Sequence, residues 1–296
     1  MPPSTIATVP MTRPARQLPT NWIGIVPFLL FALLFLILPT MNIVLGAFQT
    51  PDGGFTFDNI RGLNTPQIRA AYIISLKISL ASALFGCVIG FAVAAAVVLG
   101  GLPRFIRGPL LTFSGVASNF AGVPLAFAFL ATIGPVGLIT VYLKTQLGID
   151  LRLLGFNLLS FWGLTITYLF FQIPLMILII TPALDGLKRE WREAAAILGA
   201  SGLQYWRMVA LPILFPSLLG TLALLFANAF GAVATAIALT GSSLNIVPIL
   251  LFAQIRGDVL GNPHLGYALA FGMIVITGVA NAVYIVLRAR SERWLK

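Results

Sequence analysis

Six apolar runs alternate with short polar segments along the chain, and each is long enough for the roughly 20 residues an α-helix needs to cross hydrocarbon. They cover Trp22 to Phe48, Tyr72 to Leu99, Leu110 to Ile133, Leu158 to Ile180, Ile213 to Leu239 and Gly266 to Leu287. The pattern predicts an all-α membrane protein, a bundle of six transmembrane helices, with a single domain over 21–296. The first run is much longer than the roughly 7–15 residue core of a signal peptide, so it reads as an uncleaved span that Pro27 and Pro39 kink or end. Residues 1–20 are rich in Pro, Thr and Arg without apolar periodicity, which predicts a disordered tail. Two further apolar segments are too short to cross. Val141 to Leu147 reads as a short surface helix, and Asn245 to Ile255 as re-entrant or surface-lying.

Composition agrees with this pattern. The chain is 59% hydrophobic and only 9% charged, whereas a soluble domain carries about a quarter charged residues. The formal charge of +10 forms no continuous basic stripe, which argues against nucleic acid as a partner and for lipid. Lys and Arg are instead distributed by side. Twelve fall in the first tail, the 100–109 loop, the 183–212 loop and the C-terminal tail, and six in the opposite loops. The positive-inside rule therefore puts both termini and the 183–212 loop in the cytoplasm. Cys87 is the only cysteine and His264, read as a loop residue, the only histidine, so neither a disulfide nor a Cys/His metal site is available.

The 183–212 loop is the most charged of the connections. Leu184, Leu187, Trp191, Ala194 or Ala195, and Leu198 recur three or four apart, which places them on one helical face. Lys188, Arg189, Arg192 and Glu193 fall largely elsewhere. Gly199 and Gly202 then bracket a turn, and a second helical run, Leu203 to Leu211, ends at Pro212. The spacing Glu193-Ala194-Ala195, three residues, Gly199, nine residues, Val209-Ala210-Leu211-Pro212 resembles the EAA loop of permease subunits in binding-protein-dependent ABC importers. Every anchor matches in position, with Val209 where the family pattern has Ile. The resemblance implies the type I importer permease fold, with the loop as a cytoplasmic coupling helix docked on a separate ATPase. Arg192, Glu193, Ala194, Ala195, Gly199 and Arg207 are then contact residues. It further implies a pair of ATP-binding subunits, a second permease subunit (a sister or another copy), an external solute-binding protein and a bacterial inner-membrane location. No G-x-x-x-x-G-K-[ST] sequence occurs, so ATP and Mg²⁺ belong to the partner, and this chain is expected to bind no cofactor and to catalyse nothing.

None of the eight carboxylates lies in the middle of a run. This argues against a proton-coupled secondary carrier, the alternative class. Asn119, Gln172 and Asn228 are amides inside runs, and they are the candidates for a polar solute pathway. The third run, with its Ser118-Asn119-Phe120-Ala121-Gly122-Val123-Pro124 stretch, resembles the branch that handles polyamines, ferric iron and phosphonates. That implies spermidine or putrescine as solute, with phosphonate or ferric iron as alternatives.

Overall fold

The computed structural model describes residues 21–100, 104–241, 243–256 and 263–292; the 1–20 tail, expected to be disordered, lies outside them. The described residues form α1 (Asn21–Ala32), α2 (Leu38–Gly46), α3 (Asp58–Gly62), α4 (Pro66–Leu99), α5 (Arg104–Ala117), α6 (Val123–Ile133) and α7 (Leu138–Gln146). They continue as α8 (Phe161–Asp185), α9 (Arg189–Ile197), α10 (Gly202–Tyr205), α11 (Leu211–Phe230), α12 (Val233–Thr240), α13 (Val247–Arg256) and α14 (Pro263–Glu292). Six stretches among them are long and apolar enough to cross a membrane: Gly24–Gly46, Pro66–Leu99, Val123–Gln146, Phe161–Asp185, Gly202–Phe230 and Pro263–Arg290.

Two of these spans contain a π-helical turn, at Leu33–Ile37 and at Trp206–Ala210. A proline follows each within two residues, Pro39 and Pro212. Proline cannot donate its backbone nitrogen, and its ring crowds the carbonyl four residues back. Widening the preceding turn relieves both problems without ending the helix. The helical run expected to end at Pro212 therefore passes through it into α11.

The core forms where α4 crosses α8 and α11 lies against both, with α14 behind α11. Met176, Ile180 and Leu214 fill the space between α4, α8 and α11, and Phe171, Leu164 and Leu125 fill the space where α8 meets α6 and α12. The face that α4 buries is lined by small residues: Ser75, Ser79, Ser82, Ala83, Gly86, Gly90 and Ala94. Lipid tails are as apolar as leucine, so membrane helices gain little by burying bulk. They associate where small residues let the backbones come close. The first span stays at the periphery, with its apolar side chains exposed along their length and α2 leaning on α14.

Two expected spans are broken. The third, expected over 110–133, is interrupted after Ala117, and helix resumes at Val123. Gly122 sits at φ 76°, a left-handed conformation that cannot continue an α-helix, and Pro124 follows in the first turn of α6. The long apolar path here is instead Val123–Gln146, bent where α6 hands over to α7. The surface helix expected at 141–147 is thus the end of that path. The fifth span, expected over 213–239, ends at Phe230, and α12 starts afresh after Gly231 and Ala232.

The 245–255 segment folds as α13, whose 10 residues rise about 15 Å, half the hydrocarbon thickness. It packs against α4, α12 and α14, and the Val247 N–H donates to Ser75 Oγ at 3.0 Å. His264, expected in a loop, sits in the first turn of α14, its Nδ1 3.3 Å from the Gly46 carbonyl. Near the end of α7, Lys144 hydrogen-bonds Asp150, and that bond with the Arg152 N–H holds the carboxyl below the usual carboxylate range.

Candidate functional site

Two features carry chemistry, a protruding knob at one end of the bundle and a polar cavity between broken helices.

The knob begins where α8 ends at Asp185, which is ion-paired to Arg107 of α5. The chain bends through Gly186–Lys188 and enters α9. Because of that bend the expected apolar face is not continuous. Leu184 is fully buried in α8, whereas Leu198 is 87% exposed at the far end of α9. No residue of α9 is buried, so the helix stands clear of the bundle. Arg189 Nε donates to Glu193 Oε1 at 2.8 Å, the favourable spacing for an i,i+4 pair on a helix. Arg192, Glu193, Ala194, Gly199 and Arg207 are exposed and Ala195 half-buried, so five of the six expected contact residues are fully open to a partner and the sixth is partly so. Ile197, Leu203 and Met208 are exposed apolar side chains of the same segment.

Two local devices hold this shape. Gly199 has φ 79°, with its N–H donating to the Ala196 carbonyl and the Ala200 N–H to the Ala195 carbonyl. This is the Schellman closure, which satisfies carbonyls that would otherwise be orphaned at the end of α9. Two residues on, Ser201 opens α10 with a capping box. Its Oγ accepts from the Gln204 N–H, while Gln204 Oε1 accepts from the Ser201 N–H at 2.7 Å. A helix stop and a helix start within three residues make a rigid corner.

The cavity lies where both broken spans are interrupted. Its volume is about 460 Å³, and its lining includes Ser118, Asn119, Gly122, Phe171, Asn228 and Thr235. Gly122, the residue that caps the start of α6, and the first turn of α12 border it, and the leading N–H groups of a helix have no intrahelical acceptor. The two starts are clasped together: the Gly122 N–H donates to Thr235 Oγ1 at 2.6 Å. Across the break, Tyr168 Oη donates to the Ala232 carbonyl at 3.0 Å, fixing the path between α11 and α12. Asn119 Nδ2 donates to the Gly115 carbonyl. The lining contains no carboxylate, lysine or arginine. It offers amides, hydroxyls and two positive helix ends, an environment suited to an anion.

Of the three amides expected in the pathway, the structure brings Asn119 and Asn228 to this cavity and not Gln172. Gln172 is fully buried, and its Nε2 donates to the Leu225 carbonyl of α11 at 2.8 Å. It links two helices and faces no open space. Ser118, Thr235 and the two chain breaks were not foreseen, although Gly122-Val123-Pro124 carries a turn signal. Among the described residues no group of three or more His, Cys, Asp or Glu is placed to hold a metal ion.

Residues 92–296 match the family described as "Binding-protein-dependent transport system inner membrane component". The sulfate transport system permease protein CysT of Salmonella typhimurium is 26% identical over 246 residues, covering 81% of this chain and 83% of that one. The molybdenum transport system permease protein ModB of Mycobacterium bovis is 24% identical over 222 residues, covering 73% and 78%. Among solved structures, a bacterial ABC transporter that imports the acidic polysaccharide alginate superposes with TM-score 0.66 at 18% identity, over 93% of this chain and 96% of that one. A second structure of an alginate transporter, in complex with a periplasmic protein bound to alginate pentasaccharide, superposes with TM-score 0.65 at 17% identity, over 93% and 95%.

Proposed function

Because the chain belongs to the family of binding-protein-dependent transport system inner membrane components, an ABC importer permease with six apolar helices, we propose that it forms half of a solute pathway and receives ATP's work through α9. The observation that carries this reading is the knob. It is a short helix with no buried residue, locked by a Schellman closure and a capping box, and it leaves Arg192, Glu193 and Ala194 exposed and Ala195 half-buried, with Arg207 exposed beyond the corner. A lever of this kind has to be stiff and accessible, and α9 is both. The excess of Lys and Arg on this side, twelve against six, supports a cytoplasmic position for the knob and both termini, where an ATPase pair can reach it. ATP with Mg²⁺ binds that partner pair. Closure of the pair draws two coupling helices together, one from this chain and one from a second permease subunit. The pathway then turns outward to accept solute from an external binding protein.

For the solute, the polyamine expectation gains no support. The relatives are named for sulfate and molybdenum transport, and a polycation has no carboxylate to meet in the cavity. A tetrahedral dianionic oxyanion fits better. Neutral donors can replace part of its hydration shell without binding so tightly that it cannot leave.

The test is uptake of radiolabelled sulfate, molybdate and spermidine by cells lacking the chain and by cells with it restored. Uptake of an oxyanion is expected to return with the chain; return of spermidine uptake alone would overturn the solute reading. Asn228→Asp is expected to lower oxyanion uptake about tenfold or more, because it sets a like charge against the dianion, while Asn228→Ser retains most of it. Equal uptake by the two variants at equal membrane levels would remove Asn228 from the pathway.

A further inference from the structure

A second cavity, about 520 Å³ in volume, opens where the end of α4, the bend into α9 and the start of α10 meet. Its apolar wall is made by Val98, Leu99, Leu187 and Trp206, and its cationic rim by Lys188, Arg189 and Arg192. No acidic residue lines it. We propose that this cavity holds the headgroup of an acidic phospholipid, with the acyl chains lying along the last turns of α4.

Three observations converge on that occupant. The first is depth. Leu99 is the last residue of a span, so the cavity sits where hydrocarbon gives way to headgroups, and a ligand there meets apolar wall on one side and charge on the other. A free anion has no use for Val98, Leu99 and Leu187, whereas a phospholipid matches both halves. The second is charge. Arg189 shares its charge with Glu193 at 2.8 Å, and Lys188 is held over the Trp191 ring with Nζ 5.8 Å from its centroid. Arg192 has no ion-pair partner among the described residues. Three cations thus converge with only part of their charge offset, and a phosphodiester completes the balance. The third is position along the knob. The exposed apolar side chains Ile197 and Leu198 lie at the far end of α9 and do not line this cavity. A lipid here braces the root of α9 against α4 and leaves its tip free. The inference does not depend on which solute is carried. It requires only that α4 spans the membrane.

The test is native mass spectrometry of the purified full-length chain in detergent, titrated with phosphatidylglycerol and with phosphatidylethanolamine of identical acyl chains. The wild type is expected to bind the first phosphatidylglycerol about tenfold more tightly than phosphatidylethanolamine. The paired change Lys188→Gln with Arg192→Gln is expected to reduce that preference to within about twofold. Lys144→Gln with Arg152→Gln removes the same charge at the other end of the bundle and is expected to leave the preference intact. All four positions are exposed, so the chain folds in each variant, which thermal unfolding checks. Equal binding of the two lipids by the wild type overturns the proposal. So does a preference that survives at Lys188 and Arg192, or one lost equally in the control pair. Displacement of the bound lipid by millimolar inorganic phosphate or sulfate assigns the site to a free anion and overturns it as well.

Discussion

Replacing Gly199 by valine is expected to cut solute uptake about tenfold or more while the chain still inserts and folds. No atom outside the adjacent chain lies within 4 Å of the position a Cβ would take, so the substitution causes no clash. What it disturbs is the backbone. Gly199 sits at φ 79°, a conformation costing a side-chain-bearing residue roughly 1–2 kcal/mol and a β-branched one more. The chain relieves that cost by abandoning the Schellman closure. The hydrogen bonds to Ala195 and Ala196 then open, and α9 leaves α10 at a different angle. Because α9 buries none of its residues, the bundle loses little. The lever loses its aim. Gly199→Asn is the discriminating companion, since asparagine tolerates the left-handed region far better than valine, and it is expected to keep most of the uptake. Uptake is measured per unit of membrane-inserted chain, with recovery of the ATPase partner as a second readout. Wild-type uptake by Gly199→Val, or equal loss in both variants, would sink the coupling role of this corner.

Gly90→Leu acts on the bundle itself and is expected to remove most of the well-folded protein. A Cβ at Gly90 would lie 2.6 Å from Met176 Cβ and 2.9 Å from the Ile173 carbonyl oxygen. Neither can yield. Met176 is fully buried, and the carbonyl belongs to the backbone of α8. One turn earlier, a Cβ at Gly86 would meet Gln172 Cβ at 2.8 Å, so the two helices touch over consecutive turns. Forcing them apart costs at least the ~1–3 kcal/mol of ordinary overpacking. It also strains the bond from Gln172 to Leu225 that ties α8 to α11. The melting temperature in detergent is expected to fall by about 5–10 °C, with a matching loss of monodisperse protein on size exclusion. Gly278→Leu, where nothing lies within 4 Å, is the control and is expected to change neither. A Gly90→Leu chain that melts with the wild type would show that this crossing does not hold the bundle together.

These two glycines differ in how visible they were. Gly199 stood out because its role is local. A helix stop needs a left-handed residue at a set distance from the last helical turn, and that requirement repeats at fixed spacing with Glu193, Ala194 and Ala195. Gly86 and Gly90 have the four-residue spacing of a close helix crossing, yet Tyr72 to Leu99 contains many small residues, and spacing alone does not say which face meets α8. The three amides expected in the pathway follow the same rule. Asn119, Gln172 and Asn228 look alike in sequence, each one amide in an apolar run. Packing sends Gln172 into a helix contact and the other two to the cavity.

What this sequence determined by itself is the number of membrane-crossing segments, the helical class and the corner at Gly199. Each follows from interactions within a single stretch of chain: the backbone must bond internally in hydrocarbon, and a helix end must be capped by its own neighbours. The tertiary structure alone decided where the third and fifth spans break and which side chains meet at the breaks. An apolar run satisfies hydrocarbon equally well straight or broken. A break at Gly122 or Gly231 becomes stable only when its freed backbone groups find partners in another helix, here Thr235 for the Gly122 N–H and Tyr168 for the Ala232 carbonyl, 113 and 64 residues away along the chain.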